Sequence, residues 1–411
     1  MRDFNTHFKM SEEDVKIYAK KYLDLFHQDA DLKAEEIGDG NINYVFRVWD
    51  ESTGRSVIIK QADKILRSSK RPLDTDRSRI EAEALILHNK LVPGLVPKVY
   101  KYDPIMCALS MEDLSDHGNL RYELLKGKTF PKLADDITTF LVNTLLPTTD
   151  LVMDPGEKKK MVKSFINIEL CDISEKLVFT EPYTDYIGRN IIIDENKEFV
   201  EELIYKDREL VLEAGKLRNN FMNNAQALIH GDLHSGSIFV KEDSTKVLDH
   251  EFAFYGPMGY DIGNVVGNLF FAWVNAYTVM VEGEVKEKFL VYLENTIVDI
   301  VELFKEKFKV LYMDIVRDIM AKQDGYMEWY LDNILTDTCG VAGLEIIRRT
   351  VGDAKVADIT SIGDIEKRVK AERILLLLGK SLILNREEIK VGRDYINSLK
   401  EAIEIYYNRY S

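Results

Sequence analysis

A chain of 411 residues, 45% apolar and 30% charged, has the balance of a folded globular protein and is too long for one ordinary core, so two lobes are expected. A formal charge of −15 argues against nucleic acid or an anionic membrane as the main partner. Three widely spaced cysteines, Cys107, Cys171 and Cys339, offer neither a disulfide framework nor CxxC zinc spacing and fit a reducing cytosol.

The first ten residues, "MRDFNTHFKM", lack the apolar run of a secretory signal. Residues 11–26 read as an amphipathic helix with Ser11 as N-cap. "YVFRVW" and "SVIIK" are β-rich runs joined by the turn-like "DESTG", a hairpin signal. Residues 74–91 return to helical spacing with acidic residues at their start, and "PKVYKYD" and "MCALSMEDL" read as two more strands. Residues from about 30 to 114 therefore predict a small antiparallel sheet carrying one helix. From about 116 the pattern is mostly helical. The exception is 228–256, where "SIFVK" and "KVLDHEF" flank the polar "EDST" as a second hairpin. "NVVGNLFFAWVNAYTVMV", 264–281, is the most apolar stretch. Asn268 and Asn275 interrupt it, which predicts a core helix and no membrane span.

Four places carry candidate chemistry. "EIGDGNINYVF", 36–46, is a glycine-containing turn that runs on into a strand, not into a helix as a Walker loop would. It fits a phosphate-covering hairpin, although a lone GxG also suits an ordinary turn. Lys60 ends an apolar strand and needs an anion, either nucleotide phosphates or a carboxylate from the next helix. Glu81 is the better candidate than Glu83, because Arg77, Glu81 and Leu85 share one i, i+4 line. In "LIHGDLHSGSIF" an apolar lead-in delivers a polar turn, from which Asp232 could orient a substrate hydroxyl or accept its proton. A zinc reading of His230 and His234 needs a helix that Gly231 disfavours, so His230 reads as structural. Asp249 follows seventeen residues after Asp232, with Glu251 two further on. Strand alternation predicts both carboxylates on one face, a pair of hard oxygen donors for magnesium.

These residues resemble the aminoglycoside phosphotransferase and choline kinase branch of the protein-kinase-like fold, and are closer still to the methylthioribose kinase family. The likeness runs over nearly the whole chain, through "EIGDGNINYVFRV", "IIKQA", "LVPKVY", "MEDLS", "CDISEKLVFTEPY", "LIHGDLHSGSIF", "EFAFYGPMGYDIGN" and "GLEIIRRTVGDAKVAD". It implies an α+β, bilobal fold: a small antiparallel-sheet lobe over 1–114 with the hinge at its end, and a mostly helical lobe over 115–411. It implies an ATP- and Mg2+-dependent kinase that phosphorylates the anomeric hydroxyl of 5-methylthioribose in methionine salvage, in the cytoplasm and as a homodimer. By the same resemblance Asn43, Lys60, Glu81 and the hinge residues Glu112, Asp113 and Leu114 would serve ATP, the hinge chiefly through its backbone. The acidic segment Asp249, His250 and Glu251 would also contact the nucleotide, with Asp249 and Glu251 on the metal. Asp232 would meet the sugar hydroxyl, and Arg348 and Arg349 would serve substrate or the transferred phosphate.

Two departures bear on these roles. The family's usual Asp-Pro-Glu reads Asp249-His250-Glu251 here, which keeps the outer carboxylates and loses a proline's fixed φ. Ser237 stands where the wider kinase pattern has asparagine, as it generally does in this family, and Glu251 would supply the missing oxygen. Paired arginines on a helix also suit a solvated face or a helix C-terminus. Neighbours on a helix point about 100° apart, so Arg348 is expected to enter the site with Arg349 behind it. Asp261, near a helix start, is expected to anchor the catalytic loop. Two rival readings stay open: an aminoglycoside- or choline-type kinase, whose cationic substrate the "IIRRT" arginines would repel, and a non-catalytic nucleotide-binding pseudokinase.

Overall fold

In "YVFRVWD" every second side chain is buried and those between are half-buried, as a strand with one covered face requires. This is seen in a computed structural model that describes residues 3–37, 43–65 and 72–410. Gly38–Ile42, the body of the glycine-containing turn, lie outside the described residues. Strands β1 (Leu32–Glu36), β2 (Tyr44–Asp50), β3 (Ser56–Gln61), β4 (Val99–Asp103) and β5 (Ala108–Met111) form an antiparallel sheet in the order β1-β2-β3-β5-β4. Helix α1 (Glu12–Tyr22) is capped as expected: Ser11 Oγ accepts from Asp14 N–H, and the Asp14 carboxylate accepts from Ser11 N–H in return. It ends four residues before the predicted limit. Leu23 is extended, and Leu23 and Phe26 enter the sheet's core from non-helical backbone. Helix α2 (Arg77–Leu91) buries Arg77, Glu81, Leu85 and His88 together with Ile80, Ala82 and Ala84.

Contacts divide the chain into two units. The first comprises residues 1–117 and 246–253, and the second comprises 118–245 and 254–411. An expected boundary after residue 114 does not account for 246–253, which the structure gathers with the first unit. There a short 3-10 turn, His250–Phe252, packs on α2.

The second unit is mostly helical. Its main members are α3 (Leu133–Leu145), α4 (Met258–Val279), α5 (Glu284–Ile315), α6 (Tyr326–Val351), α7 (Ile365–Leu384) and α8 (Gly392–Arg409). Almost every residue of α4 is buried, as the apolar stretch predicts for a core helix. Among the described residues no helix is long and apolar enough to cross a membrane. Helix α4 lies close along α6 because Gly259, Gly263 and Gly267 present no side chain there. A Cβ on Gly263 would sit 2.6 Å from Thr338 O and 2.7 Å from Val341 Cβ. Short antiparallel pairs frame the polar loop 230–237. Strand β6 (Gly118–Asn119) pairs with β8 (Ile238–Lys241), and β7 (Ala227–Ile229) with β10 (Phe254–Gly256). A sheet unit with one long inserted helix and a mostly helical second unit make the α+β organisation that the resemblance implies.

The second predicted hairpin needs one correction. Its returning strand, β9 (Ser244–Val247), stops two residues before Asp249. Asp249 itself lies in the left-handed region at φ 71°, which asparagine and aspartate tolerate better than other non-glycine residues. Asp249 and Glu251 therefore do not share a strand face.

Candidate active site

In the first unit, Lys60 Nζ leaves the buried end of β3 and meets Glu81 Oε1 at 2.9 Å; it also pairs with Asp249 Oδ1. Burial alone would lower the lysine's pKa. The carboxylates of Asp249, Glu81 and Glu251 outweigh it and hold the ammonium above its usual range. Burial pushes Glu81 upward against the pull of Lys60. Glu83, the alternative, pairs with Arg79 at the surface, so the i, i+4 reasoning selects the partner found.

Glu251 is held from another side. Its Oε2 accepts from Asn43 Nδ2 at 2.9 Å and lies 3.6 Å from Arg77 Nε, while Arg77 Nη2 donates to Asn43 Oδ1 at 3.0 Å. Arg77 thus joins the residue that leaves the glycine turn to the acidic segment. Sequence reasoning placed Arg77 on the Glu81 face but gave it no role.

Asp249 and Glu251 offer hard oxygen donors, and the Asp249 side chain is 46% exposed. This chemistry fits a magnesium ion. Among the described residues no three His, Cys, Asp or Glu side chains gather into a metal cage. An ion on this pair would therefore take its remaining ligands from phosphate or water. The segment 112–114 is tied down through its side chains. Glu112 accepts from Lys98 N–H at 3.0 Å and from Lys246 Nζ at 3.1 Å. Asp113 accepts from Arg47 Nε at 2.7 Å and from Ser115 N–H at 2.9 Å. Leu114 is buried.

In the second unit the polar loop is pinned by Asp261, in the first turn of α4. Its carboxylate accepts His230 N–H at 2.7 Å and Gly231 N–H at 3.0 Å, and Gly231 makes the turn at φ 84°. His230 Nδ1 accepts from Asp232 N–H at 3.2 Å, so this ring ties the loop to itself. Ser237 Oγ donates to Asp232 O at 3.2 Å, a bond within the same loop.

Asp232 sits among cations. Its Oδ1 receives Arg348 Nη2 at 3.1 Å and Arg349 Nη2 at 3.3 Å. Its Oδ2 lies 3.4 Å from His234 Nε2. Because His234 Nδ1 accepts from Gly236 N–H, the neutral ring carries its proton on Nε2, facing the carboxylate. Burial would raise the Asp232 pKa, but His234, Arg349 and Arg348 hold it well below the usual carboxylate range. The side chain keeps 23% exposure, enough for a hydroxyl to approach.

The expectation that only Arg348 would enter is overturned, since both arginines reach the same oxygen. The cause is Glu345, one turn earlier on α6, which spacing of i−3 and i−4 could have revealed. Its Oε2 pairs with Arg348 Nε, and its Oε1 accepts Arg349 Nε at 3.1 Å. Anchored at Nε, the two planar guanidinium groups swing their Nη2 ends together. Arg348 and Arg349 hold the fully buried Glu345 carboxyl down at about 2, although burial would raise it. Asn268 of α4 donates to Glu345 Oε1 at 2.9 Å and accepts from Ser235 Oγ at 3.1 Å and Arg121 Nη2 at 3.0 Å. Ser235 belongs to the loop that carries Asp232, so the network closes on itself. The roles of Arg121 and Asn268 were not legible in the sequence, because Arg121 meets Ser235 and Asn268 across 114 and 147 residues, and Asn268 meets Ser235 and Glu345 across 33 and 77, all beyond the reach of short spacing.

The phosphotransferase enzyme family matches residues 197–285. The methylthioribose kinase of Bacillus pumilus (strain SAFR-032) is 38% identical over 385 residues, 93% of this chain and 94% of that protein. The methylthioribose kinase of Geobacillus sp. (strain WCH70) is 42% identical over 375 residues, 90% of this chain and 91% of that one. Among solved structures, choline kinase from Cryptosporidium parvum Iowa II gives a TM-score of 0.47 at 12% identity, covering 96% of this chain and 97% of that one.

Proposed function

The chain belongs to the methylthioribose kinase family, and on that footing we propose that it transfers the γ-phosphoryl group of ATP to the anomeric hydroxyl of 5-methylthioribose. The product is 5-methylthioribose 1-phosphate, within methionine salvage. The observation that carries this reading beyond family likeness is the convergence of Arg348 and Arg349 on Asp232, oriented by Glu345. A carboxylate held this far down is a weak base. Asp232 therefore serves to orient the attacking hydroxyl, accepting its proton only as the bond to phosphorus forms. The arginines present permanent charge and planar donors to phosphoryl oxygens as charge shifts in the transition state. The same charge disfavours a cationic acceptor such as an aminoglycoside or choline.

Nucleotide binding is assigned to Asn43, Lys60, Glu81, the 112–114 segment, Asp249 and Glu251. Lys60, kept charged by its carboxylate partners, would meet phosphate oxygens. Asp249 and Glu251 would hold Mg2+, which when bound neutralises phosphate charge. A cytoplasmic homodimer completes the reading on the family resemblance, and the free thiols of Cys107, Cys171 and Cys339 suit a reducing compartment.

An assay coupled to ADP release, run with methylthioribose, ribose, kanamycin and choline, tests the assignment. Turnover is expected with methylthioribose and not with either cation. Robust phosphorylation of kanamycin or choline, with none of methylthioribose, would overturn it.

A further inference from the structure

Each residue of the acidic segment is held by a different side chain of α2. Asp249 is held through Lys60 by Glu81, and Glu251 by Arg77 with Asn43. The middle residue, His250, is wholly buried, and its Nε2 lies 3.0 Å from Nδ1 of the equally buried His88. The rings meet edge to face, with centroids 5.0 Å apart. Arg77, Glu81 and His88 occupy positions i, i+4 and i+11, one stripe of the helix. A fully enclosed ring does not itself meet a nucleotide, which corrects the expectation that His250 is a contact residue.

We propose that His88 is a positioning residue: through its hydrogen bond to the His250 ring it fixes how Asp249 and Glu251 are presented to the cation that accompanies the nucleotide. The argument is geometric. Asp249 has left-handed backbone and a half-exposed side chain, and the strand before it has already ended, so no sheet ladder fixes the segment. Lys60 restrains the Asp249 carboxylate and Asn43 with Arg77 that of Glu251, whereas the His88–His250 bond restrains the residue between them from inside the unit. One ring must donate and the other accept, so the contact has a direction that packing alone would not supply. Outer partners of this kind commonly change metal affinity by about 10–100-fold when removed.

The inference rests on the reading of Asp249 and Glu251 as the metal-bearing pair, and its test separates the two. ADP is titrated calorimetrically into the full chain with and without Mg2+, for wild type, His88→Ala, His88→Asn and Asp249→Asn. The asparagine side chain places a polar atom near the histidine Nδ1 position and can restore the bond. In His88→Ala the Mg2+-dependent gain in ADP affinity should fall by about tenfold, with metal-free ADP affinity unchanged, and His88→Asn should recover most of it. An unchanged gain in His88→Ala overturns the proposal. So does an equal loss with and without Mg2+, or a lack of recovery in His88→Asn, since either makes His88 a packing residue only. If Asp249→Asn keeps the full gain, the metal assignment itself fails, whatever His88 does.

Discussion

Replacing Glu345 by glutamine keeps the side chain's shape but removes its charge, and leaves Arg348 and Arg349 buried with Asp232 as their shared anion. The structure sets the size of the effect. The Glu345 carboxyl is held at about 2 against an ordinary 4.5. At about 1.4 kcal/mol per unit, that difference corresponds to roughly 3 kcal/mol of stability at neutral pH. Breaking a buried ion pair costs about 3–5 kcal/mol, which agrees. Because the folded-state pKa is depressed, this stabilisation is fully present above 4.5 and is lost as pH falls toward about 2. Denaturant unfolding followed by tryptophan fluorescence in a Trp49→Phe background reports the second unit, where Trp273 and Trp329 lie. Glu345→Gln should lose roughly 3 kcal/mol at pH 7, and the gap to wild type should shrink to less than half by about pH 3. The KM for methylthioribose should rise while that for ATP holds. A stability loss under about 1 kcal/mol at pH 7, or a gap that does not narrow on acidification, would refute the ion-pair account of how the arginines are aimed.

Asp232→Asn should lower turnover at least about a hundredfold and leave ADP affinity unchanged by calorimetry; near-wild-type turnover would remove Asp232 from the mechanism. Arg348→Lys and Arg349→Lys should each cost about a hundredfold in turnover, because both reach the same carboxylate oxygen, and a single sensitive arginine in steady-state kinetics would contradict that symmetry. Asp249→Ala should raise the Mg2+ concentration needed for half-maximal activity, with partial rescue by Mn2+, whereas Glu251→Ala should also weaken metal-free ADP binding by releasing Asn43; metal titrations identical to wild type would dismiss the pair. Gly263→Ala puts a methyl 2.6 Å from Thr338 O, so melting should show about 1–3 kcal/mol of destabilisation, and the KM for methylthioribose should rise as α6 is displaced.

Periodicity and short spacing settled much of this protein in advance. The strands and the helix between them, the core helix α4 and the choice of Glu81 over Glu83 depend on residues within a turn of each other or on a motif's own length. A side chain's nearest neighbours along the chain decide such features, so the sequence carries them. The presentation of the acidic pair is different. Alternation predicts a common strand face, but β9 ends early and Asp249 turns left-handed, and the positions of both carboxylates are set by Lys60, Asn43 and Arg77 from distant parts of the chain. The arginine pair diverges by helix geometry and converges only because long side chains pivot about Glu345 toward Asp232, over a hundred residues away. His88 and His250, 162 residues apart, meet only in the folded unit. Contacts of that span depend on how whole elements pack, and neither periodicity nor residue type fixes packing before the tertiary structure forms.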